Sequence, residues 1–98
     1  MKIGLGADHG GYKLKQLIKE HLEKNGYEVV DYGTNSSDSV DYPDYGKKVA
    51  QAVIDREVEK GIVCCGTGIG ISLAANKVKG IRCANVSDTF SAKMSRAH

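Results

Sequence analysis

The sequence has no apolar run long enough to cross a membrane. Its longest, around Ile62–Cys65, falls far short of the roughly 20 residues that a spanning helix needs. The opening Met1–Ala7 starts like a secretory leader, but Asp8 and His9 interrupt it at once. No signal peptide is read, and the expected location is cytoplasmic. The three cysteines include no Cys-x-x-Cys pair, and the three histidines are scattered. This argues against a zinc site or any other metal centre and makes reduced thiols the expectation. A large excess of one charge is also missing: a net charge of +2 over 98 residues is too small to imply a nucleic-acid partner. With a single proline, no repeat and no low-complexity stretch, residues 1–98 are expected to form one domain.

Hydrophobic residues make up 41% and charged residues 27%, the balance of a soluble folded protein. The charge is uneven. From Glu28 to Asp44 there are five acids and no Lys or Arg, whereas Lys77 to Arg96 holds five bases and one acid. That pattern reads either as solvated faces or as a basic wall that attracts an anionic ligand. Glycine is the unusual count, 12 of 98 against a typical ~7%, so its placement matters.

Residues 2–7 alternate Ile3, Leu5, Ala7 and end in Asp8-His9-Gly10-Gly11, the pattern of a buried strand and a turn. Residues 12–25 place Leu14, Leu17, Ile18 and Leu22 on one helical face and lysines and glutamates on the other, stopped by Asn25-Gly26. A strand is expected over 27–32, a loop over 33–44 and a helix over 45–58. A third strand covers 61–65, followed at once by Gly66-Thr67-Gly68-Ile69-Gly70 and a helix over 69–78. A fourth strand is expected over 81–86, and a last helix with Ser87 as its N-cap and Phe90 and Met94 on one face. This alternation predicts an α/β fold, a Rossmann-like three-layer α/β/α sandwich on a parallel sheet.

Ligands of such sheets bind beyond the carboxyl ends of the strands. Asp8–Gly11, Cys65–Gly70 and the terminal His98 could all line one crevice there. The glycine loop can aim several backbone N–H groups one way, and the helix that follows adds the positive end of its dipole. Such a nest holds a standing phosphate or a charge that develops in a transition state. A dinucleotide fingerprint does not fit: position 71 is Ile, the third glycine comes one place early, and the loop follows the third strand instead of the first. Cys65 stands immediately before the nest, where a helix N-terminus favours a thiolate; the competing reading is a small buried hydrophobe. Cys64, one residue back, points to the opposite face, and Cys83 is read as core. Thr67 is either a proton relay or a turn residue. Asp8 is an orienting acid or a helix cap, His9 a phosphate contact or a surface imidazole, and His21 structural. Together these parts suit proton abstraction beside a carbonyl: a thiolate base, an amide nest for the enediolate, and an imidazole acting at a hydroxyl, with no metal or other cofactor required.

Asp8-His9-Gly10-Gly11, Asp41-Tyr42-Pro43, Cys65-Gly66-Thr67-Gly68-Ile69-Gly70, Ala74-Ala75-Asn76-Lys77, Gly80-Ile81-Arg82 and Ser95-Arg96-Ala97-His98 together resemble the ribose-5-phosphate isomerase B family, which includes galactose-6-phosphate isomerase subunits. The resemblance runs along the whole chain. It implies metal-independent interconversion of ribose 5-phosphate and ribulose 5-phosphate through a cis-enediol. By resemblance, Cys65 is the base, the backbone from Gly66 through Thr67, Gly68 and Ile69 to Gly70 the anion hole, and Thr67 the hydroxyl that assists exchange between O1 and O2. His98 would open the furanose ring with help from Asp8, and His9 would bind phosphate. Ser72 stands where some members carry a carboxylate base, which favours the thiol. Family members continue beyond this histidine with a fifth strand and a helix bearing phosphate-binding arginines, and they form homodimers or dimers of dimers. Two other readings stay open: a hexose-6-phosphate isomerase acting on allose or galactose 6-phosphate, and a non-catalytic Rossmann-like module that binds a phosphate or nucleotide.

Overall fold

The protein was analysed as a computed structural model, which describes residues 1–35, 38 and 40–97. Strand β1 (Lys2–Ala7) leads through a single 3-10 turn (His9–Gly11) into helix α1 (Tyr12–Lys24), followed by β2 (Glu28–Asp31), α2 (Tyr42–Ile54), β3 (Lys60–Cys64), α3 (Ile69–Asn76) and α4 (Thr89–Ala97). Among the described residues the sheet has three strands in the order β2-β1-β3. Both pairings are parallel, with Leu5 opposite Asp31 on one side and Ile62 on the other.

Glycine in the strands lets α2 lie close on one face. A Cβ on Gly6 or on Gly61 would each come within 2.5 Å of the Val49 side chain. Ile3, Leu5 and Ala7 point to the opposite face and are buried; α1 covers them and touches all three strands. Helix α3 packs against α2 through Gly46, where a Cβ would lie 2.9 Å from the Ile71 carbonyl. The result is the expected three-layer α/β/α arrangement on an open parallel sheet.

Four expectations need correction. Residues 81–86 form no strand. They face β3 across a cleft of about 840 Å³, lined by Ile62 and Val63 on one side and Ile81, Cys83 and Ala84 on the other. A strand needs a neighbour for its N–H and C=O groups, and the Asn76 side chain takes both groups of Cys83, at 2.7 and 2.8 Å. Helix α2 starts at Tyr42, inside the expected loop, because Pro43 suits the first turn; it ends at Ile54, with Arg56 at φ 61. Asp88, not Ser87, caps α4: its carboxylate accepts the Ser91 N–H at 2.7 Å. The leucine stripe of α1 is displaced as well. Leu14 and Leu17 are 53% and 64% exposed, while Lys15 is fully buried.

Candidate active site

The site begins where β1 and β3 end side by side. The Asp8 N–H continues the ladder to the Cys64 carbonyl at 3.2 Å. The chain then turns sharply, and the buried Asp8 carboxylate accepts the Gly11 N–H at 3.0 Å. Asp8 is thus a cap in this structure, as one of its two readings has it. The turn leaves no room for side chains. A Cβ on Gly11 would sit 2.3 Å from the Cys64 carbonyl, and one on Gly10 would sit 3.1 Å from the Gly66 nitrogen. Asp8–Gly11 and Cys64–Gly66 are therefore in direct backbone contact, and the first two expected parts of the crevice are brought together.

Cys65 lies one residue past β3 and is partly exposed, whereas Cys64 is buried. Burial pushes the Cys64 thiol up to about 11, with Cys65 and Asp8 adding to the rise and the Lys15 ammonium opposing it. Burial also raises the Cys83 thiol. The Cys65 sulfur accepts the Gly68 N–H at 3.0 Å, and Thr67 Oγ1 accepts the Ile69 N–H at 3.2 Å. Gly68 turns the loop into α3 with φ +81, a conformation that favours glycine. Among the described residues, the amides of Gly66, Thr67, Gly70 and Ile71 donate to no protein acceptor. These four N–H groups lie in the loop and at the start of α3, beside a partly exposed sulfur, and unpaired amides of this kind can receive an anion.

The imidazole of His9 is exposed, and its Nδ1 accepts the Val40 N–H at 3.2 Å. This ties the segment before α2 to the first turn. His98 lies outside the described residues. In the last described turn before it, Ser95 and Arg96 line the cleft along β3. Ser72 is buried and donates its hydroxyl to the Ile69 carbonyl at 2.8 Å, so it braces the first turn of α3.

Two neighbours of the loop escaped the sequence reading. A Cβ on Gly68 would fall 2.5 Å from Asn85 Oδ1, and one on Gly70 would fall 2.9 Å from the Tyr42 ring. The fold thus packs these side chains against the loop from segments remote in sequence. Only the Asp41-Tyr42-Pro43 motif hinted at either of them.

A family model described as Ribose/Galactose Isomerase matches residues 3–98. The chain belongs to the ribose/galactose isomerase family. It is 53% identical over 97 residues to ribose-5-phosphate isomerase B of Escherichia coli (strain K12), covering 99% of this chain and 65% of that protein. Its structure resembles that of ribose-5-phosphate isomerase B from Clostridium thermocellum, with a TM-score of 0.99 and 60% identity, covering 100% of this chain and 66% of the other. A ribose-5-phosphate isomerase B from Mycoplasma genitalium, solved with bound ribulose-5-phosphate, superimposes with a TM-score of 0.91 at 41% identity, over 99% of this chain and 65% of that one. The chain thus spans 66% and 65% of the lengths of two curated relatives that it matches. Among the described residues no helix is long and apolar enough to cross a membrane.

Proposed function

We propose that this chain carries the chemistry of a metal-independent aldose–ketose isomerase that interconverts ribose 5-phosphate and ribulose 5-phosphate. The observation that supports this best is the Cys65 sulfur set within the loop whose amides at Gly66, Thr67, Gly70 and Ile71 meet no protein acceptor among the described residues. The Cys65 thiolate removes the proton from C2 of the open-chain aldose, and the electron pair moves to O1. The amide nest stabilises the enediolate. Thr67 passes a proton between O2 and O1, and the Cys65 thiol returns its proton to C1, giving the ketose and restoring the thiolate. His98 opens the furanose ring, with Asp8 assisting, and His9 contacts the phosphate. The positive field comes from main-chain amides, so the step needs no metal.

The same reading makes residues 1–98 a single Rossmann-like domain that works in the cytoplasm as a homodimer or a dimer of dimers. The test is a ribose 5-phosphate isomerisation assay on this chain and on a chimera carrying the remaining C-terminal third of the Escherichia coli relative. Galactose 6-phosphate and allose 6-phosphate serve as competing substrates. Conversion of ribose 5-phosphate in preference to the hexose phosphates supports the proposal. Preference for a hexose phosphate overturns the substrate, and no turnover by either protein overturns the reaction.

A further inference from the structure

We infer that Lys15 and Asp31 are a positioning pair that holds the Cys65 loop in register through the first turn of α1. The inference rests on the reaction proposed above, with Cys65 as its base.

Lys15 is fully buried, the largest side chain with so little exposure. Its ammonium donates to both Asp31 oxygens at 2.7 Å. Asp31 Oδ1 also accepts the Gly33 N–H at 2.8 Å, and the Lys19 ammonium stands 3.9 Å from Oδ2. Stability alone does not call for such a pair, since apolar residues of similar volume commonly replace buried ion pairs without loss. What the pair adds is direction: an ammonium held by both oxygens of one carboxylate has a defined place, which a methyl-ended chain does not.

That place lies about one helical turn beyond Gly11, the residue that caps the start of α1. Gly11 meets the Cys64–Cys65 peptide with nothing between them: a Cβ there would be 2.3 Å from the Cys64 carbonyl carbon and oxygen and 2.7 Å from the Cys65 nitrogen. Gly10 meets Gly66 in the same way, at 3.1 Å to its nitrogen and 3.4 Å to its Cα. Backbone packed on backbone has no flexible side chain to absorb a shift. Any tilt of α1 about the Lys15 anchor therefore moves Cys65 and Gly66, and with them the contact between Cys65 Sγ and the Gly68 amide. The Lys15 charge also reaches this corner, where it opposes the burial-driven rise of the Cys64 thiol.

The test is the double substitution Lys15→Met with Asp31→Leu, which removes both charges and keeps the bulk. Four quantities are measured: the melting temperature, kcat and KM for ribose 5-phosphate, and the rate at which iodoacetamide labels Cys65 relative to Cys83. A positioning role predicts a folded protein whose kcat falls by roughly tenfold or more, since a displacement of about 1 Å can cost ~10²-fold. KM then changes far less than kcat, and the Cys65 labelling rate departs from the parent's while that of Cys83 does not. A folded double variant whose kcat and Cys65 labelling both stay at the parent's values overturns the inference. If the double variant does not fold, Asp31→Asn, which keeps an oxygen for the Gly33 N–H, decides on the same readouts. A parent without isomerase activity would sink the proposed reaction, and the labelling comparison would still decide the positioning.

Discussion

The Cys65 sulfur accepts the backbone N–H of Gly68 at 3.0 Å. The loop thus closes on its own cysteine, and the proposed base and the proposed anion hole become one unit. A shift of the loop moves both together, which keeps the proton-accepting atom beside the place where negative charge would form. Catalysis by preorganised dipoles depends on such fixed geometry.

Replacing the sulfur separates binding from chemistry. Cys65→Ala leaves every backbone amide of the nest in place, so the chain retains affinity for a phosphate ester. Isomerisation falls by about 10²–10⁴-fold, the range typical of a lost general base. Isothermal titration with ribose 5-phosphate and a coupled assay check the two halves. Equal loss of both counts against Cys65 as the base.

The three thiols differ in reactivity. Cys64 is buried with its thiol pushed up to about 11, and burial also raises the Cys83 thiol. Since the thiolate is the reactive form, these two stay protonated and slow at neutral pH. Iodoacetamide should label Cys65 first, and substrate should protect it. Peptide mass spectrometry of timed reactions reads the order, and equal labelling of all three contradicts it.

Two glycines near the ends of β1 and β3 should respond very differently to an added methyl group. At Gly11 a methyl group would meet the Cys64 carbonyl at 2.3 Å, whereas at Gly66 it would meet nothing within 4 Å. Gly11→Ala should therefore destabilise the fold by at least the ~1–3 kcal/mol of ordinary overpacking. Gly66→Ala should stay within about 0.5 kcal/mol of the parent. Urea denaturation compares them.

The cap of α4 should make that helix sensitive to acid. The Asp88 carboxyl is held below its ordinary range, first by the Ser91 N–H and then by the Ser91 hydroxyl. A depressed carboxyl stabilises the folded helix above its unfolded value, and that support fades as pH falls through the folded value. Asp88→Ala should lower the helical circular-dichroism signal at neutral pH and make little difference in strong acid. A loss of equal size at both pH values would show that the cap does not act through its charge.

Much of the fold was legible because its signals are local. The Ile3-Leu5-Ala7 alternation set the first strand, and the short apolar run before the glycine loop set the third. The glycine loop showed in its spacing and Cys65 in its place just before it, while the role proposed for Cys65 came from the family resemblance. The misses share one cause: a residue's neighbours far along the chain. The 81–86 segment has a strand-like composition, but in the structure it stands across a cleft from β3 and is tied by Asn76. The α1 periodicity marked Leu14 and Leu17 as core and Lys15 as surface, because the pattern of one helix carries no information about a carboxylate at the end of β2.

By itself, the sequence determined the order of elements as far as α3, the parallel α/β layering and the place of a cysteine-led glycine loop at a strand end. These depend on side-chain alternation, caps and backbone freedom over a few residues. The tertiary structure alone decided that Lys15 is buried on Asp31, that Gly11 presses on the Cys64–Cys65 peptide, and that Asn85 and Tyr42 flank the loop. Each of these needs two distant segments at contact distance, a condition set by packing and not by local pattern.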